Sequence, residues 1–154
     1  MKLSLKTLVA AISLPVLMTA CASNGDNVKE ITAQDLQHHN WQFVQIDGNN
    51  IELKERQKAP RLEIGENLTA NGNAGCNNFF GQVELKDNQL RIEKMGMTMK
   101  MCMEDQMKIE KVMSESLSDW NDITLTNKGL VLKNTNHELT CLLYTSPSPR
   151  DGRE

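Results

Sequence analysis

From Trp41 onward the chain is cut into short apolar–polar segments by turn-forming residues, and this rhythm limits the possible folds more than any other feature. Trp41 to Ile46 alternates apolar and polar positions and carries aromatic and β-branched side chains, the period-two pattern of a half-buried strand. Asp47-Gly48-Asn49-Asn50 follows as a turn. Arg61–Ile64, Leu68–Asn71, Gln82–Leu85 and Gln89–Ile92 read as further short strands. They are punctuated by Gly65-Glu66-Asn67, the Gly72 to Gly75 stretch and Lys86-Asp87-Asn88. Asp122–Thr126 and Leu130–Lys133 form a hairpin about Asn127-Lys128-Gly129, and a last strand starts at Glu138. One long helix interrupts the series, from Glu104 to Leu117. Its apolar stripe holds Ile109, Val112, Met113, Ser116, Leu117 and Trp120, with Glu110, Lys111, Glu115 and Asp119 away from it. Thr32 ahead of Ala33-Gln34-Asp35-Leu36 caps a single helical turn. The expected fold is α+β, a mostly antiparallel curved sheet or incomplete barrel packed against one helix.

Such a domain is short of large side chains. Aromatic residues make up 4% of the chain, so its core must come from Leu, Ile, Val and Met, with Trp41, Phe43, Phe79, Phe80 and Trp120 as the aromatic contribution. A core of this size is marginal and gains from a covalent staple. The four cysteines are Cys21, Cys76, Cys102 and Cys141. In front of Cys21, Lys2 and Lys6 precede an apolar stretch from Leu8 to Met18 and then Leu17-Met18-Thr19-Ala20-Cys21. A charged start, a short apolar middle and small residues before the cut make a secretory signal peptide; the apolar run is too short to span a bilayer. Cysteine after the small residue resembles the lipobox of bacterial lipoproteins, in which the thiol is acylated. Ala22 after it, rather than Asp, resembles the pattern sorted to the outer membrane. Attachment then rests on several acyl chains, each buried methylene adding roughly 0.8 kcal/mol.

At the other end, Cys141-Leu142-Leu143-Tyr144-Thr145-Ser146-Pro147-Ser148-Pro149-Arg150-Asp151 resembles the in-frame translation of a transposon-end sequencing adapter, with a disordered tail as the alternative. The expected division is a signal peptide at 1–20, a lipidated tether at 21–31, a domain at 32–140 and an artefactual tail at 141–154. Cys76 and Cys102 remain, and in an oxidising compartment a disulfide is their default state. Free or catalytic thiols are the rival; no Cys-x-x-Cys and no basic neighbourhood favours them. Removing Lys2 and Lys6 takes the formal charge from −3 to −5, and a mildly acidic chain without a basic cluster argues against nucleic acid as a partner.

The densest motif is Gly72-Asn73-Ala74-Gly75-Cys76-Asn77-Asn78-Phe79-Phe80-Gly81. Its glycines allow positive φ and its Asn side chains bond nearby backbone, so it reads as a tightly built turn carrying a cysteine. Phosphate cradling, the rival, lacks the Lys, Ser and helix start it requires. Gly75-Cys76-Asn77-Asn78-Phe79-Phe80-Gly81, followed by Met97-Thr98-Met99-Lys100-Met101-Cys102, resembles the paired signatures of the META/HslJ-domain family. Asp35-Leu36-Gln37-His38-His39, Trp41 and Asp47-Gly48 resemble that family's opening, and the resemblance runs from Gln34 to Thr140. The family motif positions are Gly75, Cys76, Asn77, Phe79, Gly81, Thr98, Met101 and Cys102; Asn78 stands where Arg is usual, and Met99 where Arg or Lys is common. The resemblance implies a compact mixed sheet with a helix, an envelope location, links to heat stress and novobiocin resistance, and no reaction or cofactor.

Met95-Gly96-Met97-Thr98-Met99-Lys100-Met101-Cys102-Met103 stands out separately. An extended chain puts Met95, Met97, Met99, Met101 and Met103 on one face. Thioethers are soft ligands that select Cu(I), while the simpler reading is that Met fills an irregular sheet-to-helix core. Adjacent His38 and His39 cannot face one metal from a helix, so an imidazole site is not expected. No Ser/His/Asp arrangement or paired carboxylate motif marks a catalytic centre. The expected function is a non-enzymatic stress lipoprotein of the envelope, lipid-anchored and facing the periplasm from the outer membrane. It meets the membrane through its anchor and binds an envelope protein or a small ligand. The alternatives are a periplasmic soft-metal binder using the Met face and a periplasmic enzyme inhibitor.

Overall fold

The computed structural model describes residues 29–144; the signal peptide, Cys21 with the tether through Val28, and the tail from Thr145 lie outside the described residues. A single helical turn, α1 (Ala33–Leu36), opens the domain. The Asp35 carboxylate accepts from the Thr32 backbone N–H at 2.9 Å and hydroxyl at 2.7 Å, and Leu36 is buried. Lys29 reaches the same carboxylate at 2.7 Å; its hydrogen bond, with those from Thr32, holds Asp35 well below the usual carboxylate range. The strands follow as β1 (His39–Ile46), β2 (Asn49–Asn50), β3 (Arg61–Ile64), β4 (Thr69–Asn73), β5 (Asn78–Lys86) and β6 (Gln89–Met97). After the helix α2 (Glu104–Ser118) come β7 (Asn121–Leu125), β8 (Gly129–Lys133) and β9 (Glu138–Leu143).

All the pairings are antiparallel, and from β3 to β9 each strand neighbours the next in sequence. The first strand closes the circle. On one side β1 pairs with β3 (Trp41 opposite Leu62), and on the other with β9 (Phe43 opposite Cys141, Ile46 opposite Leu139). The result is a closed antiparallel barrel of eight strands, with β2 extending β1 as a short hairpin arm. This corrects the expectation of an open curved sheet or incomplete barrel. Closure rests on a pairing between the two ends of the domain, which leaves no local mark in the sequence. The strand that completes it contains Cys141, Leu142 and Leu143, residues the sequence reading sets apart with the tail. Closing the barrel removes the two open strand edges a curved sheet would leave.

Alternation fills the interior. Leu62 and Ile64 point in from β3, Leu130 and Leu132 from β8, Leu139 and Cys141 from β9, all essentially inaccessible to solvent. Desolvation pushes the Cys141 thiol well above its usual range, so it behaves as a small apolar side chain. Trp41, Phe43 and Phe79 are buried as expected, whereas Phe80 is 59% exposed: it neighbours Phe79, so it faces outward, where its ring lies over Gly96. Trp120 sits at the surface edge with the Arg91 guanidinium 4.7 Å from its ring centroid.

The barrel is pinched at one seam. β6 and β7 pair over two residues, Gln89 opposite Asp122 and Leu90 opposite Asn121, so the rest of β6 has no strand beside it on that flank. The connection between the two strands is α2, which packs against β6 and buries Met113 and Leu117 completely. Glu110 is also buried, at 9% exposed, although the helical stripe read from sequence turns it toward water.

Candidate functional site

The site is built where α2 meets the turn between β4 and β5. Ala74 to Asn77 reverses the chain, with the Ala74 N–H donating to the Asn77 carbonyl at 2.9 Å. Gly75 sits at φ +122°, and a Cβ there would press on Ile109 and the Gln106 carbonyl of α2. This position therefore takes glycine for both conformation and space. The Asn73 carboxamide accepts from the Gly75 N–H at 2.9 Å, and the Gln106 side chain donates to the Gly75 carbonyl at 3.1 Å, so the turn is fixed from inside and from the helix.

Asn77, 2% exposed, is the hub. Its side-chain oxygen accepts from the Thr98 hydroxyl at 2.9 Å and the Lys100 N–H at 2.6 Å. Its amide nitrogen donates to the Lys100 carbonyl at 3.0 Å and to Glu110 Oε1 at 2.9 Å. The Asn77 backbone N–H donates to Glu110 Oε2 at 2.5 Å. Both lone-pair positions and both hydrogens of one carboxamide are thereby used, and both oxygens of the buried carboxylate are engaged. Three separate pieces of chain meet on this residue: the turn, the segment after β6, and α2. A disulfide joins Cys76 to Cys102 across the same junction, Cα to Cα 5.9 Å, closing a separation of 26 residues. The segment from Thr98 to Met103 is thus held at Thr98 and Lys100 by Asn77 and at Cys102 by the covalent bond.

What this clamp presents is thioether. Met95 and Met97 end β6 half-buried against the core. Met99 and Met101, on the clamped segment, are 96% and 89% exposed. Together with Met107 of α2 they line one groove of about 470 Å³, bordered by Asn77, Glu110, Thr98 and Lys100. The single five-Met face expected from an extended chain does not form as drawn, because β6 ends at Met97. Met103 falls outside the groove, at the start of α2, and Met107 takes a place in it.

The remaining motif positions serve the same junction. Phe79 is buried under β4; Gly81 lies within the register shift where β5 passes from Phe80 to Gln82, its α-carbon backed by Ile92 and Met95. Thr98 supplies the hydroxyl that Asn77 accepts and that itself accepts from the Asn78 N–H at 3.1 Å. Cys21, the expected lipidation residue, lies outside the described residues. Sequence reasoning missed Glu110 and Met107; Glu110 was readable, since Glu110, Met113 and Leu117 share a helical face at i, i+3, i+7. Among the described residues no group of three or more His, Cys, Asp and Glu side chains is placed to hold a metal ion, and no helix is long and apolar enough to cross a membrane.

A small closed barrel, plugged by one helix and stapled between a turn and that helix's lead-in, defines a class before it defines a protein. The chain belongs to the META domain family, whose model matches residues 34–145, the family to which its Gly-Cys-Asn and Thr-x-x-x-Cys motifs pointed. It is similar to "Heat shock protein HslJ" of Escherichia coli (strain K12), 28% identical over 137 residues that cover 88% of this chain and 94% of the relative. An NMR structure of a protein 26% identical superimposes with a TM-score of 0.64, covering 73% of this chain and 95% of its own. A second, of a protein from Burkholderia xenovorans, has a TM-score of 0.63 at 18% identity, covers 93% and 100% of the two chains, and shares the fold.

Proposed function

We propose that this protein is a heat-stress protein of the bacterial envelope that acts by binding rather than by turnover, tethered through an acylated Cys21 to the outer membrane and facing the periplasm. The heat-stress reading rests on the similarity to "Heat shock protein HslJ" along nearly the full length of both chains. The envelope reading is supported by the signal-like leader ahead of Cys21 and by the Cys76–Cys102 bond, which suits an oxidising compartment. One observation favours binding over chemistry. The polar groups that converge at the site, Asn77 and Glu110, are spent on one another and on the Lys100 backbone, while the surface they hold up is an apolar, thioether-lined groove. Reduced tolerance of novobiocin and of heat is the phenotype expected on loss of the gene.

The test pairs location with activity. Radiolabelled palmitate is expected to enter the wild-type protein and not Cys21→Ala, which should move to the soluble periplasmic fraction. Loss of the gene should lower survival after a temperature upshift, with rescue by wild type. Unlabelled protein in the soluble fraction would overturn the tether, and a hydrolytic or redox turnover abolished by one substitution at the junction would overturn the binding role.

A further inference from the structure

Soft-donor chemistry dominates the groove beneath the clamped segment. Five of the nine methionines in the chain border it: Met95, Met97, Met99, Met101 and Met107. Two of these owe their place to an irregularity. Leu90 and Ile92 face the barrel interior, so strict alternation along β6 would turn Lys94 and Gly96 inward and carry Met95 and Met97 outward. Instead Lys94 adopts φ 52°, the ladder to β5 shifts register between Phe80 and Gln82, and the inward parity passes to Met95 and Met97. A left-handed lysine is a disfavoured conformation, and here its effect is to aim two thioethers at the helix. Met107 answers from α2. On the opposite rim, Met99 and Met101 are the most solvent-exposed large apolar side chains of the described residues, on a backbone fixed by Asn77 and by the disulfide. Core filling does not account for side chains that touch so little of the core.

We propose that this groove is a binding site for a soft monovalent cation, Cu(I) or its analogue Ag(I), held by thioether sulfurs. The half-buried Met95, Met97 and Met107 form the floor and the exposed side chains of Met99 and Met101 close over it. Thioethers are neutral and polarisable, so they favour a d10 monovalent ion over the divalent ions that want imidazole, thiolate or carboxylate. A single positive charge is also the least costly to bring beside an apolar wall, and the Glu110 carboxylate at the edge of the groove offsets it. The inference rests on the reading of this groove as the binding surface and names what it binds.

Ag(I), which is redox-silent, is the probe, titrated into full-length protein in detergent with 13C-methyl methionine and read by NMR. The expected result is a saturating shift of the Met95, Met97, Met99, Met101 and Met107 methyls, with Met103 and Met113 unmoved. Met103 is the informative control, since it is exposed yet outside the groove. Met95→Leu with Met97→Leu, which keeps apolar volume, should weaken binding by about tenfold or more, and Met103→Leu should leave it unchanged. Equal response at Met103, or no shift below millimolar Ag(I), would overturn the metal site. Either result together with intact heat survival and palmitate labelling would overturn the metal alone and leave the envelope role standing.

Discussion

The helix α2 is fastened to the barrel by a buried asparagine near each end, and the two fastenings are built differently. At its N-terminal half, Asn77 holds the charged Glu110 and two stretches of chain remote in sequence, with a disulfide alongside. At its C-terminus, Asn121, fully buried, donates to the Ser116 carbonyl at 2.8 Å and the Asp119 carbonyl at 2.7 Å. It accepts from the Ser116 hydroxyl at 3.2 Å and from Asn134 at 3.1 Å. The second fastening is neutral and mostly local; it satisfies the helix's last carbonyls, a task every helix end faces. The first ties long-range partners around a carboxylate and sits beside the groove. One end therefore finishes a helix, and the other assembles a surface.

The contrast breaks first at Asn77. Asn77→Ala strips partners from Glu110, Thr98 and Lys100 at once, and is expected to cost about 3–4 kcal/mol, a fall in Tm on the order of 10 °C. Calorimetry decides it, and a drop of only a degree or two would mean that water replaces the carboxamide without penalty. Replacing both Cys76 and Cys102 by Ser should cost about 3 kcal/mol through the freed loop. The sharper measurement is the cycle between the two. Both clamps act on Thr98 to Cys102, so their costs should fail to add by about 1 kcal/mol, whereas Asn121→Ala should combine with loss of the disulfide to within about 0.5 kcal/mol. Additivity in both cycles would dissolve the distinction between the ends.

The two fastenings also differ in how far sequence alone reveals them. Strands bounded by turn residues were legible, and β3 and β8 appear where alternation put them, because each needs only a neighbour to pair with. The cysteines and the Gly-Cys-Asn turn were legible as a motif. The length of β5 and β6 was not: both run to nine residues, because tertiary pairing carries them through Gly81, Asn78 and Gly96, weak strand formers that propensity reads as ends. Nor was the parity flip at Lys94, since a bulge is specified by the partner strand and the helix behind it. The side of the helix that carries Glu110 was legible from its spacing to Met113 and Leu117, but the donor set that lets a carboxyl group be buried there, 33 residues away in sequence, was not. Barrel closure was hidden for the same reason. What a residue does locally could be read; what it meets across the barrel could not.

At the neutral end the expected effect is smaller. Asn121→Ala removes the side-chain donor from the Asp119 carbonyl and one of the two donors from the Ser116 carbonyl, which keeps the Asp119 N–H at 3.2 Å, without uncovering a charge, and should cost about 2 kcal/mol. The loss should be confined to the last turn of α2 and the start of β7, and amide hydrogen exchange would show it as faster exchange there, with the Thr98–Cys102 amides still protected. Faster exchange at Lys100 would mean that the two ends communicate through the helix and are not separate fastenings.

The smallest effect belongs to a third contact, on the surface at the helix's first turn, where Lys54 Nζ lies 3.1 Å from the Asp105 carboxylate and the Gln57 amide 3.5 Å from it. The Lys54 hydrogen bond lowers the Asp105 pKa from its ordinary 3.8, with Gln57 assisting. A folded-state pKa below the unfolded one gives a contribution present above pH 3.8 and lost as pH falls through the lower, folded value. Lys54→Ala should therefore raise the Asp105 carboxyl titration toward its ordinary value in carbon-detected NMR, leave Tm at pH 7 almost unchanged, and give a stability curve that meets that of wild type in acid. Exposed pairs of this kind are screened by water and salt, and at a helix N-terminus the carboxylate keeps its favourable interaction with the peptide dipoles after the lysine is gone. An Asp105 titration indifferent to Lys54 would show that the helix end alone sets it. A Tm loss at pH 7 as large as that of Asn121→Ala would show instead that the loop carrying Lys54 bears on the junction as the buried asparagines do.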